Sequence, residues 1–137
     1  MSYKISKELF ESVMGFCKNE VAEMYVSDEN IFWHTYEDEF IGNKDSKINV
    51  DTFFFKCKEW AIKENRENKI INNGDHFYIN HIGSWMIGYF ENYQCDVGYR
   101  GKNKDETFAD LTKHFTADSE QQAVFDACMY ILDKDKQ

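Results

Sequence analysis

Residues 51–63 read DTFFFKCKEWAIK. Phe53, Cys57, Trp60 and Ala61 recur at i, i+4, i+7 and i+8, which is one face of a helix with 3.6 residues per turn. Phe54 and Ile62 widen that face, and Lys56, Lys58, Glu59 and Lys63 fall mostly opposite. Asp51 or Asn49 supplies the cap, since either side-chain oxygen can accept from an orphan N–H of the first turn. A helix with one broad apolar face needs a surface to cover, and the flanking sequence offers strands for that purpose.

Upstream, Ser6 to Cys17 reads as a first helix, with Ser6 as N-cap and Leu9, Phe10, Val13, Met14 and Cys17 as its stripe. Gly15 weakens its last turn. Glu20 to Tyr36 reads as a hairpin about the polar turn Ser27-Asp28-Glu29-Asn30, with IFWHTY (31–36) as an aromatic and β-branched return strand. Glu37 to Lys47 reads as a loop with Phe40 and Ile41 tucked inward.

Downstream, the central helix is expected to end near Arg66. Asn72-Asn73-Gly74-Asp75 is the strongest turn signal, because Asn-Gly readily takes the positive φ values of a type I′ turn. His76 to Asn80 returns as a strand, Gly83 marks a break, and Trp85 to Phe90 is apolar on both faces, as in the centre of a sheet. Tyr93, Cys95, Val97 and Tyr99 alternate with Gln94, Asp96, Gly98 and Arg100, the period of a half-buried strand. Gly101 to Glu106 reads as a polar connection. Thr107 to Phe115 fits either a helix or a strand. Ser119 opens a last helix with Gln122 completing a capping box, and Val124, Ala127, Cys128 and Ile131 line its apolar face. The expected fold is α+β: one domain over residues 1–137, with three helices packed on an antiparallel sheet of about five to seven strands.

The chain has 137 residues and 17% aromatic side chains, enough to build a real core. It contains no proline, where an average chain of this size carries about six or seven. Its turns must rely on Gly, Asn, Asp and Ser. No apolar run approaches the roughly 18–20 residues of a membrane span. Residues 1–13, MSYKISKELFESV, carry no signal-peptide core, so a cytoplasmic location in a host cell is the expectation. Cys17, Cys57, Cys95 and Cys128 are scattered without a CxxC pair, as expected of reduced and mostly buried thiols. Twenty-five acidic residues stand against 16 basic ones, a formal charge of −9. That balance disfavours direct binding to nucleic-acid phosphates and favours a basic protein partner.

The segments INVDTFFFKCKEWAIKEN (48–65) and ADSEQQAVFDACMYIL (117–132) resemble a diffuse group of small bacteriophage and prophage proteins. Members of that group pair a mid-chain KCKEWA helix with a C-terminal helix similar to EAVFKACEWIL. The match is good from Lys56 to Ala61 and partial from Ala123 to Leu132, where Met129 and Tyr130 replace Glu and Trp. The resemblance touches nothing in the N-terminal third. It speaks to fold and origin, and it implies by analogy a small inhibitor of host machinery, of the anti-CRISPR kind.

The sequence carries no Gly-rich phosphate loop, GxSxG elbow or HExxH pair. His34, His76, His81 and His114 never fall at i, i+4, and no metal site or cofactor is expected. Cys95 with His76 or His81 on a neighbouring strand is the one arrangement that leaves Cys–His chemistry open. Glu67-Asn68-Lys69 matches the ExK piece of some metal-dependent nucleases, a match too short to weigh. No catalytic residue is assigned, and a non-enzymatic protein is expected.

The most suggestive segment is IFWHTYEDEF (31–40), which sets aromatic side chains beside a block of carboxylates. Asp28, Glu29, Trp33, Tyr36, Glu37, Asp38 and Glu39 form the candidate partner-binding set, with aromatic anchors for contact area and carboxylates for steering and pairing. The partner expected is a basic host protein that handles nucleic acid. The competing reading makes the aromatics core and the carboxylates a solvated loop. A second function class is a small-ligand binder or small enzyme, with Trp33, Tyr78, Trp85, Tyr89 and Tyr99 lining a pocket over the sheet.

Overall fold

The computed structural model describes residues 3–41, 46–64, 69–71, 75–87, 92–102 and 108–134. For 41, 64, 69–71, 75–81, 99–102, 108–111 and 134 it describes the backbone alone. The protein is α+β, with four helices and seven strands among these residues. The strands divide between a three-stranded and a four-stranded antiparallel sheet, where one sheet of five to seven was expected. The chain forms two units, Met1–Lys56 and Cys57–Gln137.

In the first unit, α1 (Lys7–Met14) begins at Ser6, whose hydroxyl accepts from the Leu9 N–H at 3.1 Å. Gly15 lies just beyond the helix in the left-handed region, φ 83°, and does more than weaken a turn. Its N–H and that of Phe16 both close on the Glu11 carbonyl, and the Phe16 ring packs on Phe10. This is a Schellman-type ending with its usual apolar contact.

The hairpin β1 (Val21–Val26) and β2 (Asn30–Thr35) forms as expected about the turn at Ser27, whose hydroxyl accepts from the Asn30 N–H. A bulge between Val21 and Glu23 bends β1. β3 (Ser46–Asn49) pairs with β2, giving the order β1-β2-β3. Residues 36–41, expected as loop, form a short helix, α2 (Tyr36–Ile41). The long helix α3 (Val50–Glu64) is capped by the Asn49 side chain, which accepts from the Asp51 N–H at 2.9 Å. The core of this unit gathers Leu9, Phe10, Val21, Ile31, Val50, Phe53 and Phe54.

In the second unit, β4 (Lys69–Ile71), β5 (Asp75–Ile87), β6 (Asn92–Lys102) and β7 (Phe108–Ala117) follow in that order across the sheet. Ile71 pairs with Asp75, the last residue of the expected Asn72-Asn73-Gly74-Asp75 turn, so Asp75 belongs to the strand, and residues 72–74 lie outside the described residues. Gly83 breaks nothing: β5 runs through it, and its one irregularity falls between Ile79 and His81. The strand β6 likewise runs on through Gly101. Residues 108–117 resolve the ambiguity as strand.

Trp85 and Met86 are exposed, not central. Among the described residues β4 pairs with Asp75–Phe77, and the far end of β5 pairs with β6 alone. Phe90, also assigned to that stretch, lies outside the described residues. The helix α4 (Glu120–Lys134) covers the β5–β6–β7 face that carries Cys95 and Val97. The Ser119 hydroxyl caps its first turn by accepting from the Gln122 N–H, while the Gln122 side chain donates to Asp126. Cys57, Trp60, Ala61, Val124, Phe125, Ala127, Cys128 and Ile131 are buried, which places the apolar stripes of both helices inside. No helix among the described residues is long and apolar enough to cross a membrane.

Candidate functional site

The seven residues of the candidate partner-binding set do not form one patch. Asp28 and Glu29 occupy the β1–β2 turn, whereas Tyr36 to Glu39 follow the other end of β2. The five steps of strand between Asn30 and Thr35 rise roughly 17 Å. Asp28 belongs instead with Asp51, since both carboxylates add to burial in raising the Tyr3 phenol above its ordinary pKa. The Glu29 carbonyl accepts from the Val50 N–H at 2.8 Å and so anchors the start of α3, with an exposed side chain.

Trp33 is not an open anchor. Its ring lies 5.0 Å from Phe10 and 6.4 Å from Phe16, a wall of the first unit's core. The period of two explains this: Ile31 and Trp33 share the covered face of β2, and Phe32 and His34 share the other.

Asp38 has a structural role. The Thr35 hydroxyl accepts from the Asp38 N–H at 3.1 Å, and the Asp38 carboxylate accepts from the Thr35 N–H at 3.2 Å. This reciprocal pair is a capping box, and it makes 36–41 a helix. The signal was present in Thr35-Tyr36-Glu37-Asp38, the [ST]-x-x-[DE] pattern.

Beyond that cap, Tyr36, Glu39 and Phe40 share one helical face by their spacing. Phe40 is 91% exposed and Tyr36 60% exposed, so the expectation that Phe40 tucks inward fails. A helix of six residues is too short to bury both faces. Glu37 and Glu39 are exposed, and the Glu39 carboxylate stands 3.7 Å from His34 Nε2. His34 and Phe32 belong to the outer face of the hairpin, where Tyr25, 68% exposed, meets Phe32 at 6.3 Å between ring centres. Glu23, paired with His34, is exposed on the same face. The outer face of the hairpin thus carries Tyr25 and Phe32 with Glu23, and the His34–Glu39 contact joins it to α2, on which Tyr36, Glu37 and Phe40 are exposed. The candidate set left out Tyr25 and Phe32, because strand alternation alone does not say which face is covered, and Phe40, because residues 37–47 read as a loop that tucked it inward.

The ligand-pocket reading rests on residues the structure does not gather into one described site. Trp33 is packed within the first unit, Trp85 is exposed in the second, and Tyr89 and the side chains of Tyr78 and Tyr99 lie outside the description. The side chains of His76 and His81 and the residues Glu67 and Asn68 lie outside it as well. Cys95 is fully buried, and burial, with Cys128 nearby, pushes its thiol up to about 12. A thiol held protonated in this way is the opposite of an activated nucleophile. Among the described residues no group of three or more His, Cys, Asp or Glu could hold a metal ion.

Comparisons with protein-family models, with curated proteins and with solved structures find no match to this chain.

Proposed function

We propose that this chain is an acidic, phage-type binding protein that docks through the α2 surface on a basic, nucleic-acid-handling host protein and inhibits it, an anti-defence role of the anti-CRISPR kind. The observation that carries the reading is the exposure of Tyr36 and Phe40 on the same short helix as exposed Glu37 and Glu39. Large aromatic side chains held in water beside carboxylates have the composition of an interface centre with an acidic rim. The formal charge of −9 steers a basic partner toward the chain at long range. In the bound state Glu37 and Glu39 stand where phosphates of the partner's nucleic acid would sit.

The reading concerns a protein partner in the cytoplasm, with no cofactor and no chemistry of its own. Its test is competition. A partner captured from a bacterial lysate is loaded with its nucleic acid, and this protein is titrated in. Displacement by wild type, lost in Phe40→Ala, supports the reading. Simultaneous binding of nucleic acid and protein would overturn the mimicry.

A further inference from the structure

The four sheet edges among the described residues are unequal. β4 has three residues and β3 four. β1 has six and is bent by its bulge. β7 has ten, and it pairs with β6 through ten consecutive positions without a register shift. A long, regular edge strand presents unpaired N–H and C=O groups to another strand. Thr112, Lys113, His114 and Thr116 are all exposed, as befits an open edge. Lysine is a common guard of such edges. Here Lys113 is drawn back over the Tyr130 ring of α4, 5.6 Å from its centre, on the covered side of the sheet.

We propose that β7 pairs antiparallel with β7 of a second copy of this chain, about a two-fold axis at Thr112, joining two four-stranded sheets into one of eight. A two-fold axis across an edge pairs residues whose numbers sum to an even value, so that like faces stay together. For a strand spanning 108–117, two such registers keep the greatest overlap. One sets Lys113 against Lys113, a like-charge pair directly opposed, which is unfavourable. The other sets Thr112 against Thr112 and Asp110 of each copy opposite His114 of the other, twice over. His114 already has its Nδ1 on the Asp96 carboxylate, and its side chain is 59% exposed. The strand carries one aspartate and one lysine, so this edge is locally neutral in a chain whose total charge is −9. Self-association therefore falls on the edge that opposes it least.

The test is the solution mass over a dilution series by sedimentation equilibrium, with a cysteine probe of register. In a Cys17→Ser background, Thr112→Cys brings two thiols together on the axis, and Lys113→Cys does not. Twice the chain mass at high concentration, with disulfide-linked dimer forming at least several-fold faster for Thr112→Cys, is the expected result. Monomer mass at every concentration overturns the pairing, and faster linkage by Lys113→Cys overturns the register. Neither outcome depends on the α2 surface, so the two proposals fail separately.

Discussion

Glu11 shows how much one side chain decides in a small unit. It is a charged residue on α1, yet it is 3% exposed, and its carboxylate accepts from the Val21 N–H at 2.9 Å. That N–H opens β1, so the helix holds the first strand through a single buried acceptor. Glu11→Ala leaves the donor buried without its partner, at a cost of about 1–3 kcal/mol, whereas Glu11→Gln keeps an acceptor and costs less. Urea denaturation of the two variants checks the order. The sequence offered no hint of this, because a lone Glu on a helix reads as solvent-facing. Three of the cysteines were legible: Cys57, Cys95 and Cys128 are buried, whereas Cys17, expected on the α1 stripe, lies beyond the helix and is exposed, and all four are free thiols. A thiol reagent at neutral pH should therefore titrate one cysteine in the native state and four after unfolding. The Cys95 thiol is raised from 9.0 to about 12 in the fold by burial. The unfolded thiol ionises first as pH rises, so its stabilising share is complete below pH 9 and is lost toward about pH 12. The melting temperature should fall over that window, and less steeply in Cys95→Ala.

Elements with a long period were readable, and short ones governed by a single cap were not. α3 and α4 announced themselves through stripes of buried residues at helical spacing, and the Ser6, Asn49 and Ser119 caps all form. The hairpin about Ser27 was equally plain. α2 escaped notice because six residues give no periodicity, and its cue is the Thr35–Asp38 capping box. Removing that box should melt α2 while leaving the larger elements in place. Asp38→Ala is expected to cost roughly 1 kcal/mol, the usual value of a lost cap. It should also raise amide exchange across 36–41, with little change in α1 or α3. Fast exchange across 36–41 in the wild type as well would mean that the box does not hold the helix. Division into two sheets was not readable either, because each strand's alternation is satisfied equally by one large sheet or two small ones.

At the scale of the whole molecule, charge and aromatic content pointed to a partner, but the surface differs from the one the sequence suggested. Trp33 went against the Phe10 and Phe16 rings, Asp38 to a cap, and Asp28 with Glu29 to the far end of the hairpin. Glu37, Glu39, Tyr36 and Phe40 remain, joined by Tyr25 and Phe32. Charge reversal should accordingly leave Asp38 untouched, so that a binding loss is not a folding loss. The most direct measurement is quantitative capture from a bacterial lysate on two baits, wild type and Glu37→Lys/Glu39→Lys, at low and high salt. The Debye length shrinks from about 10 Å at 0.1 M to about 3 Å at 1 M, which separates steering from contact. The account predicts a basic nucleic-acid-binding protein enriched on wild type, depleted about tenfold or more on the variant at low salt, and less so at high salt. Equal recovery of the same partner on both baits at low salt would contradict it.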